Sequence, residues 1–402
     1  MLLKAWDWIE VHILEKYFTR EIPVLVVFVL VAAIATNQSV HLPIRVFKGV
    51  DWSGLNNYLI FKSSFYNLLS LKDLYALYPL EHGDLFKYSP TFAMFMGVFA
   101  WLPNWAGLLL WNLLNVLVLF FGLKKLTLSD RKYNVWVMWF VVVELLTAAH
   151  NDQANGLITG LLLLAFVNLE RSNYILSALQ IVLTIYIKLF GAVFLIVALF
   201  YPGWRKFYLF AILWSLVLFL SPLVLVPADY LISSYLDWYE LLIMDHAGSI
   251  GWSMRGVLIA ILNVNVPNIL VLIVGVLSLF IPIIVRMSFQ LRYKDRLLYF
   301  LSLLIWVVIF NHKAEGATYI IAVTAVGIWF FVQKRTPYSI ILILLTFVFT
   351  SFIDRKGIFP EELRNGLFVE YVVKAIPCIF VWLIMQYEMM VITRSDDQLD
   401  LN

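Results

Sequence analysis

"IPVLVVFVLVAAIATNQ", residues 22–38, decides the class of this protein. No charged side chain interrupts it, and its length approaches the roughly 20 residues that carry a helix across a bilayer. Similar runs recur at 105–123, 133–149, 155–169, 174–187, 189–202, 207–226, 268–285, 297–311, 317–333, 338–353 and 368–390. Of the 402 residues, 62% are hydrophobic and 14% charged, and mean hydropathy is +0.88. Soluble domains carry about 25% charged residues, so this chain has too little polar surface to face water. The runs are rich in Leu, Val, Ile and Phe and lack the dyad alternation of a membrane β-barrel. The expected fold class is therefore all-α: a polytopic integral membrane protein of about 12 transmembrane helices. For 174–202 the alternative is one long bent helix, which would invert everything after it.

No internal repeat, low-complexity tract or soluble domain divides the chain, so residues 1–402 read as one membrane-embedded unit. "VAAIAT" holds an A-x-A pattern at Ala33–Ala35, yet Asp7, Glu10 and Glu15 make the preceding segment unlike a basic signal region. Residues 1–20 read instead as an amphipathic helix leading into an uncleaved anchor. A formal charge of +3, dispersed along the chain, excludes nucleic acid as a partner. The one cysteine, Cys378, forbids an intramolecular disulfide.

Basic loops fix the expected sides. "KKLTLSDRKY", "ERSN", "PGWRK", "RMSFQLRYKDR" and "QKRTP", with the N-terminal segment and Arg394, hold more than half of the 29 Lys and Arg. With twelve spans all of them fall on one side, which the positive-inside rule makes cytoplasmic, with both termini. The other side keeps the polar stretches 39–104, 227–267, 312–316 and 354–367. In the first of these, "HGDLFKYSPTFAMFMGVFAWLPNW" is too apolar for a solvated loop and reads as an interfacial or re-entrant helix after Pro90.

Five outer-side features could carry chemistry. In "FKGVDWSGLNNYLIFKSSFYNLL" (47–69), Asp51 suits either the N-cap of the helix that follows or a catalytic base, its apolar neighbours Val50, Trp52 and Leu55 raising its basicity. "ELLTAAHNDQANGLITG" sets His150, Asn151, Asp152, Gln153 and Asn155 at a helix mouth, where they either bind sugar hydroxyls or cap helix ends. Lys188, an ionisable group inside an apolar segment, either neutralises a phosphate or snorkels to the interface. The turn "NHKAEG" offers His312 and Lys313 for an anionic leaving group and Glu315 to hold Lys313 or Lys188. From "DHAGSIGWSMRGVL", Asp245, His246 and Ser253 accompany Trp252, a sugar-stacking ring, and Arg255, a phosphate ligand; interfacial anchoring is the other reading. Glu370 and Lys374 are spaced to pair on one helix face, and Glu144 is a weaker candidate facing a polar cavity. No zinc spacing, phosphate-loop, dinucleotide or D-x-D signature is present, so no metal or cofactor is expected.

The order of these pieces resembles glycosyltransferase family 87, within the polytopic GT-C class that uses lipid-phosphate sugar donors. The resemblance rests on an aspartate after the first span, "YNLLSLKDLYALYP", the Y-x-P segment "FKYSPTFAMFMGVFAWLPNWAGLLLWNLLN", "DQANGLITGLLLLAF" against a G-Q-x-N element, and "TIYIKLFGAVFL". It implies a GT-C-like fold, Asp51 as general base, Gln153 and Asn155 at the sugar, Lys188 at the donor phosphate, and "NHKAEG" as a wall of the same cavity. Asp152 departs from it, standing where the family usually has glycine. The activity implied is inverting transfer of a hexose, with mannose as first candidate, from a polyprenyl-phosphate donor to a lipid or glycan hydroxyl at the outer face of the plasma (inner) membrane. A transporter or flippase of a lipid-linked saccharide is the competing class, against which the absence of duplicated halves counts.

Overall fold

The computed structural model describes residues 18–47, 50–244, 250–286, 291–355 and 357–391, with the backbone alone at 45–47, 50–51, 285–286 and 391. The expected amphipathic helix over 1–20, Asp245, His246 and Arg394 lie wholly or mainly outside the described residues. The chain forms two compact units, Met1–Ser249 and Ile250–Asn402.

The first unit opens with α1 (Glu21–His41), whose 21 residues extend about 30 Å at 1.5 Å each, the thickness of a bilayer core. A small hairpin follows, β1 (Arg45–Phe47) antiparallel to β2 (Val50–Trp52), with Val46 opposite Asp51. Three-residue strands are too short to show alternation, which is why an all-helical chain was expected. The next helix, α2 (Asn56–Leu69), begins five residues beyond Asp51 and has Leu55 at its N-cap. Asp51 therefore does not cap it. The sequence "SPTF" then starts α3 (Pro90–Phe95) where expected: Ser89 accepts from the Phe92 N–H, and Pro90 occupies the first turn. With the turn at 97–100, this apolar segment is too short to span.

Long helices α4 (Asn104–Lys125), α5 (Arg131–His150), α6 (Asn155–Glu170) and α7 (Tyr174–Ile187) complete the bundle around α1. Helix α4 packs on α6 through glycines: Gly156 meets the Asn115 backbone, Gly160 meets Val118, and Gly122 meets Gly160. After α7 the chain reverses. Lys188 is extended (φ −143°, ψ 139°), and α8 (Gly191–Phe194) with a 3₁₀ turn to Phe200 leads back beside the origin of α7. There Tyr201 Oη donates to Glu170 Oε1 (2.5 Å), and Gly203 lies against the ring of Tyr174. The bent-helix alternative for 174–202 is thus excluded. Helices α9 (Trp204–Leu220) and α10 (Ala228–Met244) end the unit.

The second unit comprises α11 (Met254–Leu262), α12 (Asn268–Arg286), α13 (Tyr293–Ile309), α14 (Tyr319–Val332), α15 (Pro337–Thr346) and α16 (Ile376–Val391). Residues 297–309 of α13 and 319–329 of α14 are buried on every side, as helices apolar all round should be. The expected span 368–390 is broken at Val372 (φ +53°), and the helix resumes as a 3₁₀ turn at Val373–Ala375. The break separates Glu370 from Lys374. Lys374 pairs instead with Asp354, Nζ to Oδ2 at 2.9 Å, correcting the expected i,i+4 pair.

Among the described residues, five helical segments are long and apolar enough to cross a membrane: Glu21–His41, Asn104–Lys125, Arg131–His150, Trp204–Val224 and Val373–Met390. Seven shorter apolar helical segments accompany them. The molecule is a multi-helical membrane protein.

Candidate active site

One end of the first unit collects the last turn of α1, the start of α6, the last turn of α7, and the loop between α5 and α6. That loop is "NDQA", 151–154. Asn151 spends its side-chain amide on its own helix, donating to the Thr147 carbonyl (2.8 Å), while its carbonyl accepts from Asn57 Nδ2 of α2 (2.8 Å). His150 is the half-buried last residue of α5.

Asp152 turns inward with φ +51° and is 1% exposed. This is the left-handed region that glycine enters freely and Asp tolerates better than most residues. The backbone thus explains why a glycine fits here as well as the aspartate present. Its carboxylate accepts from Ser39 Oγ of α1 (3.5 Å) and from the Tyr58 N–H of α2, and its carbonyl accepts from Trp111 Nε1 of α4 (2.8 Å). One residue therefore ties α1, α2 and α4 to its loop. Burial pushes its carboxyl well above the usual carboxylate range, and the two hydrogen bonds only partly oppose this.

Beside it lie three of the expected residues. Lys188 Nζ donates to Gln153 Oε1 (2.9 Å) and to Asn155 Oδ1 (3.2 Å), and Asn155 Nδ2 donates to Gln153 Oε1 (3.0 Å). Asn155 is fully buried and opens α6; its neighbour Asn115 receives the Leu157 N–H (2.9 Å) and fixes that helix start. The Lys188 ammonium also stands 5.7 Å from the ring centres of Tyr88 and Phe190, within cation–π range. Tyr88 precedes α3 and stacks on Phe92 at 4.7 Å, and Ser89 Oγ donates to the Tyr186 carbonyl of α7 (2.6 Å). The role of Tyr88 under the ammonium was not foreseen, although Tyr88-Ser89-Pro90 marked the place.

Asp51 sits on β2, whose neighbour Trp52 has its ring against Gly83 so closely that a Cβ there would collide. Gly83 in turn donates its N–H to Asn56 Oδ1 (2.7 Å). The hairpin is thereby docked on α2 and the 80s loop. The Asp51 side chain lies outside the described residues.

The second unit holds the remaining candidates. His312 Nδ1 is 3.2 Å from Asn268 Nδ2 of α12. The Lys313 N–H donates to Asn311 Oδ1 (3.0 Å), and Glu315 precedes the 3₁₀ turn into α14. Trp252 is pinned to this turn, its N–H donating to the Ala314 carbonyl (2.9 Å) and its carbonyl accepting from Tyr319 Oη (2.7 Å). Arg255 Nε donates to the Val266 carbonyl (2.9 Å) and Nη2 to Asn265 Oδ1 (3.4 Å). Of the remaining candidates, Glu144 alone belongs to the first unit, buried within α5. Among the described residues, no three His, Cys, Asp or Glu gather as a metal site would require.

A family model for glycosyltransferase family 87 matches residues 86–353. The chain belongs to glycosyltransferase family 87. No curated protein sequence matches it. The family 87 segment includes residues 150–155, Lys188, Trp252, Arg255 and the 312–316 turn. Asp51 precedes the segment, and Glu370 and Lys374 follow it. As a family 87 protein, the molecule is a membrane glycosyltransferase.

Proposed function

We propose that this glycosyltransferase moves a hexose, mannose as first candidate, from a polyprenyl-phosphate donor to a lipid or glycan hydroxyl, with inversion at the anomeric carbon. The observation that carries this reading is the Lys188–Gln153–Asn155 cluster, a cation held by two amide oxygens at the mouth of a helical bundle. In it, Lys188 meets the donor phosphate while Gln153 and Asn155 contact the sugar. His312, Lys313 and Arg255 add positive charge for the leaving group, and His150, Asn151, Asp152, Trp252 and Glu315 contact sugar or acceptor. Preorganised cations contribute most where negative charge develops, here on the departing phosphate.

Asp51 is the general base of this scheme. The acceptor oxygen attacks the anomeric carbon, its proton passes to the Asp51 carboxylate, and the anomeric C–O bond breaks to release polyprenyl phosphate as the anion. Twelve spans in a GT-C-like arrangement, one membrane-embedded unit, cytoplasmic termini and a reaction at the periplasmic or extracellular face of the plasma membrane complete the reading. Its support is the basic composition of one set of connections. In the first unit those connections lie opposite the 151–154 loop, at the ends marked by Lys124–Glu21 and Tyr201–Glu170.

The test is transfer of radiolabel from a panel of polyprenyl-phosphate sugars by purified protein in liposomes. Asp51→Asn should abolish turnover and leave donor binding nearly intact. Full activity in that variant would remove Asp51 from the scheme. Uptake of label without any glycosidic product would favour a transporter.

A further inference from the structure

The second unit carries a half-open cavity of about 340 Å³, lined by Gly251, Trp252, Gly256, Ile259, Glu370 and Val372 among others. The volume lies at the lower end of the roughly 300–1,000 Å³ typical of small-molecule sites, room for one sugar ring rather than an extended chain. Among the described lining residues, Trp252 is the one aromatic residue and Glu370 the one charged residue.

Both lie next to constrained backbone. Gly251 takes φ +53° and lies so close to the His312 carbonyl that no side chain fits. Trp252 is fixed on either side by Ala314 and Tyr319, and Ser253 caps α11, accepting from the Gly256 N–H (3.2 Å). On the other side Val372, a β-branched residue, is held at φ +53°, where such residues are outliers. That break follows the short helix Phe368–Glu370, whose last residue, Glu370, is exposed. Strained backbone of this kind concentrates at binding sites.

The geometry points to a saccharide subsite in which Trp252 stacks on one face of a pyranose and Glu370 reads its hydroxyls. An indole offers a broad apolar face for the ring's C–H groups. A carboxylate accepts two hydroxyl hydrogen bonds, and those charge-assisted bonds are the stronger kind. A cationic head group would suit a cage of several rings, whereas the described lining offers one ring among aliphatic residues. The inference rests on the transferase reading above in taking this ring as part of the acceptor. Because Glu370 lies beyond residues 86–353, it would be a specificity residue of this chain rather than of the matched family segment.

Saturation-transfer NMR on the full chain in nanodiscs tests it, with methyl α-D-mannopyranoside, methyl α-D-glucopyranoside and choline as probes and no donor present. Wild type should saturate the ring protons of at least one glycoside. Trp252→Ala should lower that signal about tenfold and Trp252→Phe much less, while Glu370→Gln should weaken affinity several-fold and alter the ranking of the two epimers. Glu370 is exposed, so its variant remains readable even if Trp252→Ala unfolds. Equal glycoside binding in the wild type and all variants, absence of glycoside binding to wild type, or saturation of choline in place of the sugars would overturn the proposal. Since binding is read without turnover, loss of transfer with this binding intact would count against the donor reading instead.

Discussion

Lys188 Nζ lies 2.9 Å from Gln153 Oε1, although 35 positions separate the two residues. Helices α6 and α7 run out and back between them, so the contact measures where the bundle closes on itself. Gln153 and Asn155 keep their mutual bond without the ammonium. Lys188→Met should therefore lower the transfer rate about 100- to 1,000-fold, the range for removing one preorganised donor, with little change in unfolding temperature. Lys188→Arg should recover part of the loss, since a planar fork replaces a point charge. Parallel label-transfer and thermal-unfolding measurements decide it; matched losses in both would make Lys188 structural.

Asp152 makes a prediction about pH. Burial raises its carboxyl above the unfolded value, so the folded chain binds more protons than the unfolded chain between the two pKa values. Stability from this group is greatest below about pH 4 and falls as pH rises through that window. Asp152→Asn keeps an oxygen for Ser39 Oγ and the Tyr58 N–H but removes the titration. Unfolding curves should coincide near pH 4 and separate toward pH 8, with the variant the more stable. Parallel curves at every pH would contradict the assignment.

The helices were legible because apolar length dominates in a lipid solvent, and α3 began at Pro90 because Ser89 and Pro90 form a local start signal. The reversal at Lys188 was open in the sequence, since an extended residue between two apolar runs leaves no compositional trace. The break at Val372 was invisible for a related reason: no Gly or Pro announces it, and only tertiary packing holds a valine at positive φ. Lys374 looked like the partner of Glu370 because i,i+4 spacing assumes an unbroken helix. At the candidate site, the polar residues stood out by their rarity in an oily chain. Which of them bind the helix and which face Lys188 depended on side-chain direction, as Asn151 and Gln153, two residues apart, illustrate.

The contact between α4 and α6 should be intolerant of added volume. A Cβ at Gly160 would fall against the Val118 backbone, and backbone cannot shift as a flexible side chain can. Gly160→Val should cost about 1–3 kcal/mol, the range for overpacking, and lower activity through displacement of Asn155 at the head of α6. Gly366→Ala is the control: a Cβ there meets nothing within 4 Å, so its effect should stay within about 0.5 kcal/mol. Reversible unfolding in mixed micelles gives both values.

The Lys374–Asp354 pair is asymmetric, and its two truncations should differ. Lys374 is fully buried, with its ammonium 5.6 Å from the centre of the Tyr319 ring, whereas the Asp354 side chain is 45% exposed. Asp354→Asn removes the carboxylate that compensates a charge remote from water. That should cost about 2 kcal/mol, below the 3–5 typical of a wholly buried pair because half of this one is solvated. Lys374→Met leaves a carboxylate that can turn to solvent and fills the same space with apolar atoms, so its cost should stay under about 1 kcal/mol. Gly316 sits against both partners, which places the pair under the 312–316 turn. Asp354→Asn should consequently also raise the KM for sugar transfer, and Lys374→Met combined with it should restore stability toward wild type. A double variant less stable than Asp354→Asn alone would show that Lys374 has a stabilising role independent of Asp354.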